Sequence, residues 1–161
     1  MTLPPYNQLI NIKRWADQGL YRAVHENLGA LSDEERFIMM RILDHIHTVD
    51  RIFQHHLQGE PHGFTAARSE IMPEFSALAD GMRDVDDWYT AYVAGLSDED
   101  FEEPIDFTFT SGKPARMTRG EIILHVCLHG TYHRGNAGAV LQLKGLAPSR
   151  DAVTDYLEDA A

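Results

Sequence analysis

Apolar residues recur at three- and four-residue steps along most of the chain, the pattern of amphipathic helices packed around a shared core. From about Tyr6 to Leu28 the recurring positions are Leu9, Ile12, Trp15, Ala16, Leu20, Ala23 and Val24, which predicts a first helix. Pro4 and Pro5 fall before or at its first turn, where proline is tolerated, and Gly29 supplies a stop. A second helix starts at Ser32, whose spacing to Glu35 lets each side chain bond the other residue's free backbone N–H. Its stripe, Ile38, Ile42, His45, Val49, Ile52 and His56, reads as a bundle seam, and Gly59 and Pro61 end it. Residues 60–68 form a connector. A third helix is predicted to begin between Ser69 and Pro73 and to run through Phe75, Leu78, Met82, Val85, Tyr89 and Tyr92 to Gly95.

Over residues 97–117 the period changes from helical to two. Ile105, Phe107 and Phe109 alternate with Asp106, Thr108 and Thr110, and Ser111-Gly112-Lys113-Pro114 follows as a turn. This predicts a short hairpin or ordered loop leaning on the helices, because an isolated ribbon is marginal. Thr118 and Glu121 repeat the capping pattern and open a fourth helix through Ile122, Leu124, Val126, Leu128, Val140, Leu141 and Leu143 to Lys144, closed by Gly145. The tail around Asp151–Leu157 suits one or two further turns. Four long amphipathic helices predict an all-α, four-helix-bundle domain over residues 1–161. The connectors after the first two helices read as short. The long one before the fourth leaves room for a crossover with an extended excursion.

Composition narrows the function classes. The chain has 161 residues, enough for a core without disulfides or a structural metal. Its 25 acidic and 14 basic residues give a net charge of −11, which argues against nucleic acid or anionic lipid as partners. Cys127 is the single cysteine, so no internal disulfide can form and a reducing cytoplasm is the expected setting. No apolar run reaches membrane-span length, and Asn7, Gln8, Asn11, Lys13 and Arg14 interrupt any signal-peptide core.

Nine histidines change the picture. His125, His129 and His133 are four apart on the fourth helix and share one face. Two adjacent members can converge on one metal ion, whereas the outer pair is about 12 Å apart along the axis. His45 stands in the second helix's apolar stripe, where a buried imidazole needs partners for both nitrogens. One histidine from the second helix and two from the fourth would make a three-imidazole site with an open coordination position. The competing reading is a hydrogen-bonded core cluster. A carboxylate-bridged di-iron bundle is disfavoured, because it needs Glu-x-x-His and the chain contains none.

At these positions the chain resembles the DinB/YfiT-like family of bacterial metal-binding four-helix bundles. Tyr6-Asn7 with Asn11 and Trp15-Ala16 is similar to the family's opening helix. Leu43-Asp44-His45-Ile46 with Asp50-Arg51-Ile52-Phe53 is similar to its histidine-bearing second helix, with Phe53 where tryptophan is frequent. The segment His125–Gly135 is similar to its most specific motif, followed by Asn136 where glutamine is common. The resemblance implies that His45, His129 and His133 hold a divalent metal such as zinc or nickel. It also implies a homodimer and a crossover topology. Related branches are thiol transferases or isomerases that use low-molecular-weight thiols.

Around the site, His125 is expected to support the ligands while bonded to a backbone carbonyl or carboxylate, and Arg134, which points off the ligand face, to pair with a carboxylate or line the site mouth. Glu121 is either a partner for His125 or a cap alone, and Asp50 is expected to meet Arg134 or a helix end. Asp50, Glu121 and Tyr132 are the candidate general bases. Cys127 is read as core, and the small residues Gly130, Gly135, Ala137, Gly138 and Ala139 as a surface for close helix approach. The leading function is a metal-dependent transferase, isomerase or hydrolase acting on a small molecule. The rivals are a non-catalytic metal-binding stress-response protein and a dimeric interaction module.

Overall fold

The computed structural model describes residues 5–161. Its elements are α1 (Pro5–Asn27), α2 (Asp33–Gln58), α3 (Phe75–Ala94), β1 (Pro104–Thr108), β2 (Pro114–Thr118), α4 (Arg119–Leu143) and α5 (Val153–Asp159). Pro5 opens α1 as expected, while Pro4 lies outside the described residues. Both capping boxes form: Ser32 and Glu35 at α2, and Thr118 and Glu121 at α4, each satisfying two otherwise free N–H groups. Gly59 ends α2 in the left-handed region at φ 68°, which glycine adopts without steric cost.

The long helices form a four-helix bundle. α1 packs on α3 and α4, and α2 packs on the same two. The circuit around the bundle is therefore α1, α3, α2, α4, so the consecutive pairs α1/α2 and α3/α4 stand across the diagonal. Residues 95–118 make the long passage from α3 to α4 and carry the hairpin. There β1 and β2 pair antiparallel with Ile105 opposite Met117 and Phe107 opposite Ala115. Phe107 is the hairpin's anchor, buried against Phe53 and His56 of α2. Leu20, Met39, Leu43, Leu78, Tyr89, Ile122 and Leu141 fill the bundle interior. No described helix is long and apolar enough to cross a membrane.

Three expectations are corrected. The most deeply buried face of α2 runs through Met39, Leu43, Ile46, Asp50, Phe53 and Leu57, one residue on from the predicted stripe, of which Val49 and Ile52 are buried, Ile42, His45 and His56 are half-buried and Ile38 is exposed. His45 therefore sits half-buried at the edge of the core rather than within it. On α4, Leu124, Leu128 and Leu143 point to solvent. Finally, α3 begins only at Phe75, so residues 59–74 form a long connector. Ser69 looks like a helix start, but its N–H and hydroxyl donate to Asp44 on α2, at 2.9 and 2.6 Å, which ties the connector to that helix instead.

Candidate metal centre

His45 lies mid-way along α2, and His129 and His133 stand one turn apart on the neighbouring α4. The packing of these two helices brings one nitrogen from each ring within 4.8 Å of the others. His45 Nε2 and His129 Nε2 are 3.0 Å apart, and the three ring centroids are 4.4–4.8 Å from one another. All three rings are half-buried.

A backbone contact fixes the tautomer of His45. Its Nδ1 is 2.7 Å from the Ala67 carbonyl oxygen, which can only accept, so Nδ1 carries the proton. The lone pair is left on Nε2, directed at His129. Burial, reinforced by His133 and His45, pushes the His129 imidazole down to about 3. Burial and His45 also lower His133. Both rings are neutral near pH 7 and can offer a lone pair.

This donor set fits a borderline divalent ion. Nitrogens held at 2.0–2.1 Å around a tetrahedral ion are roughly 3.3 Å apart, close to the observed Nε2 pair. Three imidazoles suit zinc, nickel or copper better than magnesium or calcium. Among the described residues no Asp, Glu or Cys joins the group, so an ion held by these three rings would keep a coordination position open. Among the described residues the buried Nδ1 of His129 has no hydrogen-bond partner, so without an ion its Nε2–H donates to His45 Nε2, and an ion between the two nitrogens would take the place of that proton.

The other predicted residues divide sharply. Tyr132 is exposed and stands edge-on to His133 at 5.0 Å, on the rim of the site. His125 packs on His129 at 5.6 Å and on Phe53 at 4.8 Å, and among the described residues it has no carbonyl or carboxylate partner of the kind expected. That supporting bond is made to His45 by Ala67. Glu121 serves the cap, accepting from the Thr118 N–H at 2.7 Å. Arg134 turns inward and touches none of the three histidines through a hydrogen bond. It donates instead to Asp17, Asp151 and Thr131. Cys127 is buried, as expected, and burial pushes its thiol up to about 12.

Asp50 meets neither Arg134 nor a helix end. It is fully buried and lies 2.7 Å from the ammonium of Lys13, which also reaches Asp17 at 2.8 Å and Asp86 at 2.6 Å. Asp50 opposes that ammonium as a charge, since neither of its oxygens makes an aligned hydrogen bond. A Cβ on Gly130 would lie 2.8 Å from Arg134 Nη1, so one of the small α4 residues makes room for this cluster. Sequence reasoning missed the cluster. Its one visible sign is that Lys13 and Asp17 share the α1 face of Ile10, Leu20 and Val24.

The sequence profile of the DinB family matches residues 6–160. The chain belongs to the DinB family. "Protein DinB" of Bacillus subtilis (strain 168) is 40% identical over 58 residues, which cover 36% of this chain and 32% of that protein. The match thus spans about a third of the curated relative's length. The crystal structure of a DinB-like protein from Bacillus cereus ATCC 10987 superposes with a TM-score of 0.65 at 20% identity, covering 90% of this chain and 94% of that one. That likeness establishes the DinB fold. The diagonal helix order and the hairpin passage described above are thus set within a DinB bundle, whose α2–α4 groove carries the three histidines.

Proposed function

We propose that this DinB chain holds one divalent cation through His45, His129 and His133 and uses it in catalysis on a small molecule. The observation that carries the reading is the convergence of three imidazoles from two helices, with His45 locked by Ala67 to present its Nε2. An ion held there would supply Lewis acidity, making a water or thiol a nucleophile near neutral pH. The chain's own part is orientation. Ala67 fixes the His45 ring, the α4 helical turn spaces His129 and His133, and Phe53 and His125 wall the site on one side. The absence of a fourth protein ligand among the described residues favours a site open to substrate over a closed structural one. Family likeness directs the chemistry toward transfer of a small thiol to an electrophile, with hydrolysis as the alternative, in a homodimer.

The test is turnover of monochlorobimane with a panel of small thiols, before and after loading with zinc or nickel. The expected result is activity that requires the metal and disappears in His129→Ala. Equal rates for metal-free and loaded protein would remove the reading.

A further inference from the structure

The three-histidine site opens onto a cleft of about 610 Å³ that it shares through His45. Its walls are Phe37 and Arg41 of α2 and the connector residues Thr65, Ala66, Arg68, Ser69 and Glu70. A cleft of this size accommodates a small organic ligand. Its charge runs against the rest of the molecule. The chain carries a net −11, yet two arginines and a single acidic residue line this cleft.

Both guanidinium groups are available. Arg41 donates through one terminal nitrogen to the Ser69 carbonyl at 2.9 Å and to Asp44 at 3.4 Å. Its guanidinium carbon lies 5.5 Å from the Phe37 ring centroid, and the rest of the fork makes no hydrogen bond among the described residues. Arg68 is exposed and forms no ion pair or hydrogen bond among the described residues. Its backbone is nevertheless pinned on both sides. Ala67 accepts from His45 Nδ1, and Ser69 donates twice to Asp44. The three-residue strap that orients His45 therefore also presents Arg68 to the cleft.

A fork of planar N–H donors is the natural partner of a carboxylate, which it can grip with two parallel bonds. Phe37 and Ala66 add apolar wall beside it. We infer that the cleft is an anion subsite and that the substrate of the three-histidine site carries a carboxylate, held by Arg68 and the free edge of Arg41 while its reacting end lies at His45. This rests on the metal-site reading given above.

The test measures binding, not turnover. Succinate and inorganic phosphate are titrated calorimetrically into metal-free and zinc-loaded protein at low salt, with wild type, Arg68→Glu and Arg68→Lys. Zinc affinity of Arg68→Ala is measured separately by equilibrium dialysis. Expected results are succinate binding to the metal-free protein, a loss of about 10-fold or more in Arg68→Glu, partial retention in Arg68→Lys, and unchanged zinc affinity in Arg68→Ala. Equal succinate affinity in wild type and Arg68→Glu, or no succinate binding at millimolar concentration, overturns the subsite. Tighter binding of phosphate than of succinate overturns the carboxylate assignment. A protein that takes up no zinc but binds succinate in an Arg68-dependent way refutes the metal site and leaves the anion subsite standing.

Discussion

Two clusters in this bundle satisfy the same geometric criterion for holding a cation. His45, His129 and His133 bring their nitrogens within 4.8 Å of each other, and so do Asp17, Asp50 and Asp86 with their oxygens. The resemblance ends there. The carboxylate cluster is fully buried and already encloses the Lys13 ammonium at 2.6–2.8 Å. The imidazole cluster is half-buried and borders a cleft, and among the described residues no Lys or Arg hydrogen-bonds to its rings. Three buried carboxylates cannot stand without a counter-charge, so the fold must bring one with it. Three imidazoles can, because an imidazole need carry no charge, and a neutral ring keeps a lone pair that an outside ion could take. Convergence of ligand atoms is therefore not enough to mark a metal site; what else the chain places among them decides.

The largest expected effect comes from removing the internal cation. Lys13→Met leaves buried carboxylates unpaired and should cost about 3–5 kcal/mol in urea unfolding. His129→Ala in metal-free protein should cost about 1 kcal/mol, because its ring satisfies no buried charge. If the two variants lost equal stability, the contrast between the clusters would fail.

Zinc gives the next effect. At a free concentration 100 times its dissociation constant it should stabilise wild type by about 2.7 kcal/mol, read as a raised Tm, and leave His129→Ala unmoved. Stabilisation of that variant would mean that the ion binds elsewhere.

Proton uptake sharpens the carboxylate side. Asp17, Asp50 and Asp86 outnumber Lys13 and Arg134. Burial lifts the Asp50 carboxyl from 3.8 to about 6 against the pull of Lys13, and lifts Asp86 well above its ordinary value. Burial opposes ionisation of Asp17 too, but Lys13 and Arg134 outweigh it and hold that carboxyl low. A carboxyl whose folded pKa is raised favours the native state at low pH, and this contribution is lost as pH rises through the folded value. The stability advantage of wild type over Asp50→Asn should therefore shrink by roughly 2–3 kcal/mol between pH 4 and pH 7. A constant difference across that range would show that Asp50 does not titrate in this way. The smallest effect concerns the frame that carries the site: Thr118→Ala removes the α4 cap and should cost about 1 kcal/mol without changing zinc stoichiometry.

Particular residues show how much of this was legible from the chain. Both capping boxes, the alternation around Phe107 and the glycine stops are local signals, and they located α1, α2, α4 and the hairpin. The histidine set was legible because a four-residue spacing on one helix is also local. The face of α2 was not, because Ile38, Met39, Met40, Ile42, Leu43 and Ile46 spread apolar residues over more than one side. Only the neighbouring helices choose among those sides. Ser69 misled because its capping chemistry is spent on Asp44, 25 residues away. Arg134 and Asp17 are 117 residues apart, and a charge paired at that distance reads as a surface charge until the helices meet. The cleft arginines were hidden for the same reason, since Arg68 reaches the site only through the fold of the connector.

The central claim is that His45, His129 and His133 bind one ion together. X-ray absorption spectroscopy of the zinc-loaded protein reads the ion's neighbours directly. The account predicts about three imidazole nitrogens at roughly 2.0–2.1 Å with one or two further light atoms, falling to two imidazoles in His45→Ala. A shell of oxygens alone, or an imidazole count that His45→Ala leaves unchanged, would contradict it.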